Sequence, residues 1–209
     1  MPTTHLLYLH GFRSSPQSAK ARKMAALVAN SFPGVTWWCP QLAPSPQLAI
    51  ERIMAAVSKW PHEPGFEGLA VVGSSLGGFY ATWVAEQLGC KAVLLNPAVH
   101  PERDLSRYLG EQIAWHDPSE RFFFQPRFVD ELRALQAGPL ANPANYLAII
   151  AKGDEVLDWR EMVARYAGAN LRVLKGGDHA LSDFDDHLTV IVDFLTLKHD
   201  VFHDVTNVP

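Results

Sequence analysis

Cysteine is scarce in this 209-residue chain: there are two, Cys39 and Cys90, and no Cys-x-x-Cys pair. That count supports neither a disulfide framework nor a thiolate zinc cluster, so a reduced, cytoplasmic protein is expected. Long apolar runs are missing too. No stretch approaches the roughly 18 apolar residues that span a bilayer. The opening MPTTHLLYLHGF has no cationic segment, and its LLYL is too short for a secretory signal. Basic excess is the third absence: Lys and Arg number 18 against 22 Asp and Glu, a net charge of -4. Such a chain offers no positive field to nucleic acid or anionic lipid, and neither is an expected partner.

What is present is ordinary for a globular protein: 48% hydrophobic and 19% charged residues, which argues against disorder. One domain over 1–209 is expected, long enough to bury a substantial core. Short apolar runs recur: HLLYL (5–9), VTWWC (35–39), LAVVG (69–73), KAVLL (91–95), YLAIIA (146–151) and LRVLK (171–175). Each is nearly continuous rather than alternating, the pattern of parallel strands covered on both faces. The stretches between them at 16–31, 76–88 and 183–197 carry helical spacing, and Gly89 stops the second. Strand–helix alternation predicts an α/β fold with a mostly parallel sheet of about six strands and helices on both faces. From 97 to 143 the rhythm breaks into prolines and aromatics with no strand-like run. A packed, helical lid insertion is expected there, ordered in part by VDELRALQ (129–136).

GSSLGG (73–78) lies between an apolar run and a helical stretch, where a strand-to-helix turn can expose a nucleophilic serine. So tight a turn needs small residues two positions either side of the nucleophile. Ser75 has Gly73 and Gly77 there; Ser74 has Val72 and Leu76. Ser75 is therefore the candidate nucleophile. It needs a base and an orienting acid from loops at the carboxyl ends of other strands. Of nine histidines, His179 in KGGDHALS follows the last strand directly; His187 falls inside a helix, His5 opens a strand, and His62, His100, His116, His199 and His203 lie in loops or the tail. Asp154, first out of YLAIIA, is the candidate acid. Glu155 and Asp158 stay open as its substitutes, although Asp158 reads more as a helix cap. The amides of Leu76 and Phe12 are the candidate oxyanion donors, and His10 is read as a brace for the loop LHGFRSSP. DHALSDFDDH gathers His and Asp, but a solvated helix start accounts for it; no metal and no other cofactor is expected.

YLHGFRSSPQSAK, GSSLGGFYAT, LLNPAVHP, GDEVLD and GGDH together resemble the YqiA-like esterases, a bacterial family within the α/β-hydrolase superfamily. The resemblance spans residues 5 to about 195. It implies a compact α/β-hydrolase fold that lacks the first two strands of the full superfamily sheet, with a small lid. It also implies hydrolysis of carboxylic esters or thioesters, acyl-CoA among them, and supports Ser75, Asp154 and His179 in that chain order. The segments WHDPSERFFFQP and KHDVFHDVTNVP follow no pattern of the family, which leaves substrate choice open. A small ester or acyl thioester is the expected partner. A serine amidase or peptidase, and a non-catalytic binding protein on the same scaffold, are the alternatives.

Overall fold

A computed structural model describes residues 2–60, 68–115, 117 and 119–198. Four histidines weighed above, His62, His116, His199 and His203, lie outside the described residues. Six strands form one parallel sheet: β1 (His5–Leu9), β2 (Thr36–Trp38), β3 (Leu69–Ser74), β4 (Lys91–Leu95), β7 (Tyr146–Ala151) and β8 (Asn170–Leu174). Their order is β2-β1-β3-β4-β7-β8. The chain runs outward from β1 to β2, then returns to the other side of β1 for β3. That reversal opens a crevice at the carboxyl ends of β1 and β3, the usual place for a ligand on such a sheet.

Both faces of the four central strands β1, β3, β4 and β7 are buried, which explains their continuous apolar runs, whereas the edge strands β2 and β8 are partly exposed. Leu7, Leu9, Val71 and Ile150 point into one core layer; Leu6, Tyr8, Val72 and Ile149 point into the other. The first layer is closed by α2 (Pro46–Val57), α3 (Leu76–Leu88), α5 (Pro126–Ala134) and α6 (Trp159–Arg165), through residues such as Ile53, Phe79, Leu132 and Met162. The second is closed by α1 (Ala19–Ser31) and α7 (Leu188–Leu195), through Met24, Val28, Ile191 and Leu195. Helix α2 starts with strong local signals: Pro46 is at its first position, and the Ser45 Oγ accepts the Leu48 amide at 3.2 Å. The expected helix at 183–197 is divided into a 3₁₀ turn at Phe184–His187 followed by α7. Among the described residues no helix is long and apolar enough to cross a membrane.

The segment 97–143 departs from the helical lid expected of it. It contains a short helix α4 (Pro101–Asp104) and α5, but also an antiparallel hairpin of β5 (Gly110–Ile113) and β6 (Arg121–Phe124). RFFF hides its strand character because three phenylalanines in a row mask the alternation. Phe124 is 1% exposed and packs on Phe12 and Phe128, whereas Phe123 is 59% exposed on the opposite side of the strand. GEQI, its partner, is too polar to read as a strand alone, and the Arg121–Glu111 pair at 3.0 Å ties the two across the hairpin. This alternation generates a contrast. Phe124→Ala costs about 3–5 kcal/mol of stability and Phe123→Ala about 0.5 kcal/mol or less, measured by urea unfolding. Equal costs would mean that the hairpin has a different register.

Candidate active site

The site begins with the backbone between β3 and α3. Ser75 holds φ 56 and ψ -121, a conformation that an L residue adopts only at a cost of about 1–3 kcal/mol. The turn is possible because its flanks lack side chains. A Cβ on Gly73 would sit 2.2 Å from the Gly77 carbonyl oxygen, and one on Gly77 would sit 2.0 Å from that of Leu9. Hydrogen bonds on both sides hold the strained residue. The Ser75 amide donates to the Leu95 carbonyl at 3.0 Å, and its own carbonyl accepts the amides of Gly78 and Ala98 at 2.9 and 3.0 Å. The Ser75 side chain is thereby aimed into the crevice at the carboxyl edge of the sheet.

His179 comes from the loop after β8, and Asp154 from the loop after β7. The His179 Nε2 lies 3.0 Å from the Ser75 Oγ, and its Nδ1 lies 2.7 Å from Asp154 Oδ2. The Asp154 carboxylate is fully shielded from solvent, and its other oxygen accepts the Val156 and Leu157 amides, each at 2.8 Å. Asp158 is elsewhere: it caps α6, accepting the Arg160 amide at 2.9 Å. His10 is buried and braces its loop, with Nε2 accepting the Leu42 amide at 3.1 Å. His187 is buried at the start of α7, its Nε2 3.4 Å from Asp183 Oδ2. Among the described residues no group of three His, Cys, Asp or Glu side chains could hold a metal ion.

Phe12 and Leu76 both line the cavity above Ser75. Leu76 opens α3, so its amide has no partner within the helix, and among the described residues no backbone carbonyl takes either amide. The cavity measures about 480 Å³. Its lining includes the apolar Leu105, Tyr108, Val156 and Leu157, and a smaller space of about 80 Å³ shares Phe12 and Leu76 with it. Lys20, also in the lining, donates to the Ala180 carbonyl; burial lowers its pKa, and Asp178 and Asp154 oppose that shift. Asp178 is itself pulled below the usual carboxylate range, chiefly by the Ser182 hydroxyl and amide that it accepts at 2.6 and 2.9 Å. These bonds stiffen the turn that carries His179.

The family model for the uncharacterised protein family UPF0227 matches residues 5–196. The chain belongs to the UPF0227 family. A UPF0227 protein of Vibrio parahaemolyticus is 24% identical over 154 residues, which cover 73% of this chain and 77% of that relative. Among solved structures, mouse alpha/beta hydrolase domain-containing protein 10 matches with a TM-score of 0.65 at 16% identity, over 91% of this chain and 88% of the mouse chain. A structure of the metagenome-derived lipolytic enzymes LipS and LipT gives 0.65 at 18% identity, over 93% and 94%. Est1E from Butyrivibrio proteoclasticus gives 0.61 at 17%, over 93% and 86%, and a further Est1E structure holds ferulic acid. This UPF0227 chain therefore has the α/β-hydrolase fold.

One residue at the site escaped the sequence reading. Asn96, 0% exposed at φ 42, follows β4 and joins the two loops that carry Asp154 and His179. Its Oδ1 accepts the Ala151 amide at 2.8 Å, while its Nδ2 donates to the Asp178 and His179 carbonyls at 2.9 and 3.3 Å. Only its place in LLNPAVHP, right after a buried strand, could have signalled it. Asn96→Leu leaves these backbone groups buried without partners. It is expected to cost about 2–3 kcal/mol by urea denaturation. A loss under about 0.5 kcal/mol would mean that the loops hold themselves.

Proposed function

We propose that this UPF0227 chain is a serine hydrolase that cleaves carboxylic esters or thioesters through an acyl-enzyme. The observation that carries the reading is one continuous chain of contacts. A strained, cavity-facing Ser75 meets His179 at 3.0 Å, and His179 meets the shielded Asp154 at 2.7 Å. A serine hydroxyl attacks an acyl carbonyl only if a base takes its proton, and the neutral His179 Nε2 is in hydrogen-bond reach. Asp154 holds the imidazole with a proton on Nδ1 and stabilises the cation that forms, while two backbone amides fix Asp154 in turn. The Leu76 and Phe12 amides receive the negative oxygen of the tetrahedral intermediate, aided by the amino end of α3. His179 then protonates the leaving group and activates the water that frees the acid. No cofactor enters this chemistry. The lipolytic enzymes and esterases among the structural neighbours are consistent with an ester as substrate.

Three results follow. Ser75→Ala lowers kcat/KM for p-nitrophenyl butyrate by about 10⁴-fold or more, and abolishes labelling by a fluorophosphonate. If that variant kept its activity, the site would be misassigned. Asp154→Asn costs about 10³-fold or more, whereas Asp158→Asn stays within a few-fold of the natural chain. The reverse ranking would transfer the acid's role to Asp158. Matched esters, thioesters and anilides compared in one assay decide the bond, and faster turnover of the anilide would make the chain an amidase.

A further inference from the structure

The cavity at Ser75 holds cations that its own carboxylates do not answer. Its lining includes Arg13, Lys20 and Arg107 against Asp104 and Glu155. Asp104 is engaged by Arg103 at 2.9 Å, and Glu155 accepts the His179 amide at 3.0 Å. Lys20 gives its ammonium to the Ala180 carbonyl in the field of Asp154 and Asp178, and Arg107 is an exposed side chain resting on the Tyr108 ring. Arg13 is different. It is half-buried next to Phe12 and lines both the large cavity and the small one, whose lining also includes Glu120. Only neutral groups hold it. Its Nε donates to the Ile113 carbonyl at 2.7 Å, its guanidinium stacks 4.4 Å from the centre of the Trp115 ring, and its carbonyl accepts the Trp115 amide at 2.7 Å. Its backbone sits at φ 58, so the fold maintains strain to keep it there. Among the described residues no carboxylate meets its two Nη groups.

We infer that Arg13 is a receptor for an oxyanion on the substrate, a carboxylate or phosphate borne by the acyl chain or by the leaving group, and so sets specificity at the Ser75 site. A guanidinium offers a planar fork of donors that fits such groups bidentately. With the Nε committed and one face stacked, little side-chain freedom is left to lose on binding. In a chain of net charge -4, an unanswered cation at the cavity also draws an anionic substrate inward. The activity half of the test rests on the hydrolase reading above; the binding half does not.

The test compares anionic and neutral substrates of matched length. On the acyl side these are the p-nitrophenyl monoester of adipic acid and p-nitrophenyl heptanoate. On the leaving-group side they are hexanoyl thioesters of 3-mercaptopropionate and of 3-mercaptopropanol. The natural chain should favour the anionic member of at least one pair by about 10-fold or more in kcat/KM, and the pair that shows it identifies the side. Arg13→Gln should bring that ratio close to one, and Arg13→Lys should keep part of it. No preference in either pair, or equal losses on both members with the ratio intact, overturns the inference and leaves Arg13 as a tether for the β5–β6 hairpin. Independently of turnover, calorimetric titration of Ser75→Ala with monomethyl adipate should give saturable binding that Arg13→Gln weakens about 10-fold. Binding that Arg13→Gln does not weaken overturns it even if the esterase assay succeeds, and so does no binding unless the leaving-group pair alone shows the preference. Anion binding without ester turnover would sink the hydrolase reading and keep this one.

Discussion

Where α3 leaves β3, Gly77 lies so close to β1 that a Cβ would meet both the Leu9 and the His10 carbonyls. That approach is the constraint from which the site follows. It lets the helix start directly over the carboxyl ends of two strands and forces Ser75 into its left-handed turn. It also sets the amide of Leu76 beside the loop after β1, with Phe12 facing the same space. The energy stored in one backbone conformation is small against the buried apolar layers on both sides of β3, all of whose residues are buried. The elbow is strained because the sheet around it is rigid enough to hold it.

The other half of the site is built differently. Asp154 and His179 sit on loops, and loops hold a geometry only if their backbone groups find partners. Asn96 supplies several of these from a third strand end, and Glu155, Lys20 and Asp178 add more from the two loops and from α1. A network of ordinary hydrogen bonds thus does for His179 and Asp154 what close packing does for Ser75. The hairpin of the insertion touches neither Asp154 nor His179; it packs on Phe12 through Phe122 and Phe124 and holds Arg13 through Ile113 and Trp115.

The sequence made the sheet legible because burial on both faces writes itself as unbroken apolar runs. HLLYL, KAVLL and YLAIIA coincide with β1, β4 and β7 residue for residue. The elbow was legible for a steric reason, since only Ser75 has glycine on both sides at the needed distance. Placing Asp154 and His179 required only the rule that loops at one edge of a parallel sheet converge. The insertion was illegible because β5 is polar and β6 shows three aromatics whose alternation appears only against its partner. Asn96 was missed for a related reason. Its meaning lies in which backbone groups surround it, and those come from segments more than fifty residues away.

The origin of Ser75, Asp154 and His179 at the ends of β3, β7 and β8 also governs how the site comes into being. Ser75 and His179 are 104 residues apart, and β3, β4, β7 and β8 pair in parallel, so each of those pairings closes a long loop before it gains any energy. No hairpin or single βα unit of this chain contains even two of the three side chains in place. The strained serine is equally out of reach early, because its conformation is held by Leu95 on one neighbouring strand and by packing against Leu9 on the other. The contact between Ser75 and His179 therefore depends on strand pairings that reach from β3 to β8.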